Sequence, residues 1–203
     1  METTSDLTDA IKEHIPPYLT LGQKQALVSA FERFPNAKEY YLTGQFANEM
    51  LQGDCWTNLP LFKFETGEKK RVRGIILSNT CDIAPDNKRE IGPNVVFSPI
   101  LKLSKYADLL KESGVDAGRI NAKIEAIKNQ AVTTIFYLPD AVGGLGDEYI
   151  VILDNVHTMP AAAIEIGGEN SKGFTLNDLG FYLFIFKLSI HFCRLRENIV
   201  RAT

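Results

Sequence analysis

Gly53-Asp54-Cys55-Trp56-Thr57, with Leu61-Phe62-Lys63-Phe64 close behind, marks the point where the chain changes from helical spacing to short β-rich runs. Val72–Ser78, Val95–Ser98, Val132–Leu138 and Tyr149–Leu153 repeat the pattern, each rich in β-branched or aromatic residues. Between them lie turn-forming stretches: Thr66-Gly67, Pro85-Asp86-Asn87, Gly92-Pro93-Asn94 and Gly143-Gly144-Leu145-Gly146-Asp147. Runs this short, mostly joined by turns rather than helices, predict a small antiparallel β-barrel instead of a βαβ sheet. With the helical segments around it, the fold class is α+β.

Upstream, Ser5 caps a short helix that ends at Pro16-Pro17, and Thr20 with Gln23 forms a capping box before Ala26, Leu27, Ala30 and Phe31. A third helix is expected from Asn36 to Gly53, with Tyr40, Phe46, Met50 and Leu51 on its apolar side. Residues 1–52 therefore read as an N-terminal helical extension and 53–203 as the barrel domain. A helical insert at about 103–130, broken near Gly114, interrupts the barrel. Its single apolar face, Tyr106, Leu109 and Leu110 then Ile120, Ile124 and Ile127, suits either a lid over barrel surface or a selector of partner or substrate. A final helix starts at Thr175-Leu176-Asn177-Asp178, and its nearly all-round apolar surface predicts burial against the barrel and against either the N-terminal helices or a second copy of the chain. Its stretch from Leu179 to Phe192 is interrupted by Lys187 and His191 and is too short for a membrane span, which needs roughly 18 residues.

Twenty-two basic against 25 acidic residues give a net charge of −3, which excludes a general polyanion-coating protein but leaves room for a local basic face. Three cysteines, Cys55, Cys81 and Cys193, contain no Cys-x-x-Cys pair and predict reduced thiols in a cytoplasmic protein. Met1–Asp9 has neither the basic stretch nor the apolar run of a signal peptide. Gly144-x-Gly146 lacks the strand-then-helix setting of a dinucleotide site, and no ligand spacing suggests a metal, so no cofactor is expected.

Several segments, in order, resemble the MazF/PemK-like family, small β-barrels related to Src-homology-type barrels that include toxin ribonucleases acting on single-stranded RNA. Gly53-Asp54-Cys55-Trp56 is similar to the family's Gly-Asp-x-Trp opening strand, and Arg73-Gly74-Ile75-Ile76-Leu77-Ser78-Asn79 to its Arg-Pro-x-x-Val-x-Ser-Asn segment. Val95-Val96-Phe97-Ser98-Pro99-Ile100 resembles the Val-Val-x-Ala-Pro-Ile strand, and Ile150–Met159 the late hairpin, with His157 at what looks like that hairpin's arginine. The resemblance covers roughly 53–64, 72–100 and 149–203, and leaves the N-terminal helices and the insert without counterparts. Leu101 stands where the family carries a hydroxyl, and Gly74 where it has proline after the arginine, which implies a looser backbone under Arg73.

The resemblance implies metal-independent RNA cleavage, in which the 2′-hydroxyl attacks the adjacent phosphate while a cation stabilises the charge that develops. Arg73 falls on the family's arginine and would bind that phosphate through two N–H groups. Ser98 or Ser104 would replace the missing hydroxyl. Lys69, Lys70 and Arg71 supply phosphate contacts, Trp56 with Phe62 and Phe64 supplies stacking surfaces, and Asn79, Asp82 and His157 complete the candidate RNA-binding set. A Cys81 nucleophile assisted by Asp82 or His157 would need residues that no spacing brings together. From another class comes an alternative: a catalytically inactive barrel acting as a protein-interaction or regulatory module. On either reading the expected partners are single-stranded RNA or an antitoxin-like or regulatory protein, with a homodimer and no membrane contact.

Overall fold

In the computed structural model, which describes residues 20–22, 25, 29, 36, 38–87 and 89–193, the organising element is the hairpin of β2 (Cys55–Phe62) and β3 (Lys69–Ile76). The helix expected from Ser5 and most of the one expected from Thr20 lie outside the described residues. Strand β1 (Tyr41–Leu42) precedes the hairpin, and a short helix α1 (Thr80–Ile83) and β4 (Asn94–Lys102) follow it. Next come α2 (Leu103–Glu112), α3 (Ala117–Lys128), β5 (Ile135–Leu138), β6 (Tyr149–Ile152), β7 (His157–Pro160), β8 (Lys172–Leu176) and α4 (Asp178–Cys193). The strands form one antiparallel, strongly curled sheet in the order β1-β8-β2-β3-β4-β6-β5, with β7 also pairing β4. Its two edges meet through a side chain, the Tyr41 hydroxyl donating to the Pro139 carbonyl at 2.8 Å.

Alternation in the central strands supplies two cores at once. Cys55 and Ile75 face a cluster with Phe136, Val151 and Phe184, while Trp56 and Ile76 face another with Leu59, Val95, Phe97 and Met159. Fully burying a side chain of this size stabilises the fold by about 1.5–3 kcal/mol. Gly74 sits between them because nothing larger fits: a Cβ there would lie 2.8 Å from Phe97 and 3.1 Å from the Ser98 carbonyl. The backbone at Gly74, paired with Trp56 and Pro99, is therefore tightly held, contrary to the looser strand expected from the absence of proline.

The two expected strands at Cys55–Thr57 and Leu61–Phe64 are one, β2, bent at a bulge where Asn58 takes φ 60° and ending at Phe62, so that Phe64 falls in the turn. The insert behaves as a lid. Leu103 and Ile127 of α2 and α3 pack with Ile135, Tyr137 and Ile150, and Gly114 at φ 80° separates the two helices. Two expectations fail. Residues 38–53 are not a helix but β1 and turns, because Gly44 and Phe46 adopt positive φ (72° and 56°) and Tyr41 and Leu42 pair with β8. Thr175 and Leu176 end a strand rather than open a helix, and α4 starts one turn later, with Asn177 Oδ1 accepting from the Gly180 amide at 3.0 Å.

Lys187 of α4 is buried and donates to the Val132 carbonyl at 2.5 Å, and burial lowers its pKa to about 8. Between that value and the unfolded value of 10.5 the unfolded chain holds more protons, so stability rises with pH across this window. Lys187→Met is expected to be more stable than wild type by about 1–2 kcal/mol near neutral pH, an advantage that shrinks near about pH 10. Urea unfolding of both proteins at the two pH values checks this, and an advantage that is absent or independent of pH contradicts it.

Candidate nucleic-acid interface

The tip of hairpin β2–β3 turns at Gly67, φ 69°, whose amide donates to the Lys63 carbonyl at 2.8 Å, while Lys63 and Glu68 pair across the turn at 2.8 Å. Just before it, Phe62 and Phe64 meet edge to face with centroids 5.0 Å apart, and Phe64 is 85% exposed. Just after it, Lys69, Lys70 and Arg71 stand exposed on β3. The curl of the sheet sets this tip opposite β7 and leaves a groove of about 590 Å³ between them. The hairpin contributes Phe62, Phe64, Lys69, Lys70 and Arg71 to the groove, and the facing wall is Val156–Pro160. Among the described residues no carboxylate lines it. Cations held beside low-dielectric walls focus a positive potential, and two exposed rings beside them present faces on which bases stack.

His157, at the start of β7, lies opposite Phe97 of β4 and stacks on that ring at 5.7 Å. Its Nε2 is 3.0 Å from Asn155 Oδ1. Burial holds its pKa below the ordinary histidine value, which keeps the ring neutral at neutral pH. Arg71 is steadied by its Nη1 bond to the Asn58 carbonyl, 3.0 Å, at the β2 bulge.

Arg73, exposed two residues further along β3, lies outside the groove lining and donates from Nη1 to the Tyr149 hydroxyl at 3.2 Å. Lys102 is close by, 6.0 Å from the Tyr149 ring centroid and 2.6 Å from Asp147 Oδ2. Arg73 also faces the Cys55 thiol, whose pKa burial pushes up to about 12 against the arginine's opposing charge. Arg73, Lys102 and Tyr149 thus make a second, smaller patch with donors for an anion.

The remaining candidates have other surroundings. Ser98 is fully buried, and its hydroxyl donates to the Ile152 carbonyl at 3.0 Å. Ser104 is exposed in the first turn of α2, and Leu101, at the missing hydroxyl, packs with the insert cluster. Asn79 caps α1 by accepting from the Cys81 amide at 2.9 Å, and Asp82 pairs with Arg89 at 2.6 Å. Neither lines the groove. Trp56 is withdrawn from the expected RNA surface: it is 1% exposed, in the core, because β2 alternation points it inward.

No protein-family model matches the chain, and no characterised protein matches it in sequence. The site therefore rests on its own geometry. Of the expected residues, the fold brings Lys69, Lys70, Arg71 and His157 together with Phe62 and Phe64. Lys102 and Tyr149 were not foreseen, since each is a single residue at a strand end with no spacing to betray it.

Proposed function

We propose that this chain is a MazF/PemK-like, RNA-directed protein that takes single-stranded RNA along the β2–β3 hairpin and acts as a metal-independent endoribonuclease. The observation that carries this reading is the groove, in which two exposed phenylalanines, three successive cations and a neutral histidine meet with no carboxylate among the described residues. Arg73 lies on the same strand as the groove cations and binds the RNA backbone beyond them, with the Tyr149 hydroxyl fixing its position. A chain of net charge −3 restricts such binding to this face. The test is cleavage of mixed single-stranded RNAs without divalent metal. Site-specific cuts are expected from wild type, and Arg73→Ala is expected to slow them about 10-fold by loosening the RNA backbone that it holds. Cutting that is equal in both proteins removes the arginine from the reaction.

A second reading, a catalytically inactive barrel serving as an interaction or regulatory module, is favoured by two observations: Ser98 is committed to Ile152, and Leu101 replaces the hydroxyl expected beside the arginine. RNA that stays intact, together with recovery of a stoichiometric protein partner, would put this reading first.

A further inference from the structure

Cleavage by the 2′-hydroxyl needs a group to take its proton, and the Arg73 patch offers no free one: a guanidinium stays protonated, the Asp147 carboxylate is tied to Lys102 at 2.6 Å, which lowers its pKa, and Ser98 is spent inside the sheet. We propose that His157 is that base, so that RNA is cut in the groove itself, with the scissile phosphate held by Lys70 and Arg71 across from the imidazole. This inference rests on the RNA-directed reading above and names the group that performs its chemistry.

Three features of the groove support it. First, the Asn155 carboxamide oxygen only accepts, so Nε2 carries the ring proton and Nδ1 holds the free lone pair, as a base requires. Second, the ring is held in place by its stack on Phe97, fixing the position of that lone pair without a carboxylate to raise its basicity. Third, the charged groups facing it across the groove are Lys69, Lys70 and Arg71, which favour a phosphate in the complex, while burial keeps the ring neutral in the free protein. Phe62 and Phe64, beside them, supply stacking for the flanking bases, which splays the strand and frees its backbone for in-line attack.

In the reaction, Nδ1 takes the proton of the ribose 2′-hydroxyl as that oxygen bonds to the adjacent phosphorus. The bond from phosphorus to the 5′-oxygen of the next nucleotide breaks, and that oxygen leaves with a proton from water in the open groove. The hydroxide so formed takes the imidazolium proton, so the balance closes on a 2′,3′-cyclic phosphate and a 5′-hydroxyl end with no metal or oxidant. Both ends are detectable on the fragments.

The experiment compares wild type with His157→Asn and His157→Gln on a single-stranded RNA, measuring cleavage rate from about pH 5 to 9 and RNA affinity separately. Expected is a wild-type rate that climbs with pH to a plateau, with the midpoint of the climb below the ordinary histidine value of about 6.5. Both variants should lose roughly 100-fold or more in rate, lose that climb, and bind RNA within about twofold of wild type. Variants that cut within about threefold of wild type, with the same pH profile, would overturn the assignment. Should wild type bind RNA in the groove without cutting it, His157 falls as a base while the RNA-directed reading stands; if wild type neither binds nor cuts, both fall.

Discussion

Replacing Lys69, Lys70 and Arg71 together by glutamine is expected to weaken binding of a single-stranded RNA by roughly 100-fold at about 50 mM salt and to lower the salt slope of log affinity by about 2. The reason is counterion release: each cation seated on a phosphate frees about 0.7 ion from a single strand, and the groove lining has three cations in succession, of which Arg71 also lies 3.9 Å from Glu169 Oε2 outside the lining. Phe64→Ala should act differently. With 85% of the residue in solvent and its ring edge to face with Phe62, losing it removes stacking worth about 1–3 kcal/mol per base while leaving the salt slope unchanged. Lys111→Gln, on α2 away from the groove, serves as the control and should change neither quantity. Titrations of a fluorescent RNA at several salt concentrations separate the two effects. A triple variant with unchanged slope would place RNA binding elsewhere on the molecule.

Why some of this was legible from sequence and some was not follows from the range of the forces involved. The insert could be read because an amphipathic face repeats every turn, and Gly114 breaks it where only a left-handed residue fits. β3 and β4 could be read because their β-branched runs exceed the length of a turn. Strand β1 could not, since a two-residue strand has no period; Tyr40, Phe46, Met50 and Leu51 happen to fall at helical spacing, yet the chain there is shaped by pairing with β8, more than 130 residues away. The site divides in the same way. Lys69, Lys70 and Arg71 are a local run and were visible, as was His157, but nothing local says that the curl of the sheet carries β7 to the hairpin tip. Asp54 and Trp56 were visible as a motif, and two-residue spacing places both on one side of a strand; what that side meets, Lys172, is set by the pairing of β2 with β8.

That meeting predicts the largest stability effect in the molecule. Asp54 is fully buried, and its Oδ2 accepts from the Leu51 amide at 2.8 Å and from Lys172 Nζ at 2.7 Å. The same ammonium donates to the Phe46 carbonyl at 2.5 Å and to Thr175 Oγ1 at 3.2 Å, and sits 5.5 Å from the centre of the Trp56 ring. The Gly-Asp-x-Trp opening is therefore a clamp that ties β2 to β8 and to the turn after β1. Asp54→Ala leaves the ammonium in the sheet with its counterion gone and is expected to cost about 3–5 kcal/mol. Lys172→Met is costly in a pH-dependent way. Burial already raises the Asp54 pKa, with Lys172 opposing it, and removing the lysine raises it further. A folded-state carboxyl that binds its proton more tightly than the unfolded chain makes stability fall as pH rises above the unfolded value, about 3.9, toward the folded one. Lys172→Met should thus be closer to wild type at about pH 5 than at about pH 8, whereas Asp54→Ala should show no such recovery on acidification. The double variant Asp54→Ala with Lys172→Met, which removes both charges, should be more stable than the sum of the two single losses predicts at about pH 8. Urea unfolding followed by the fluorescence of the single tryptophan, Trp56, reports on this clamp directly. Additive losses in the double variant would mean that the two charges act independently, and the clamp would be reduced to two separate packing contacts.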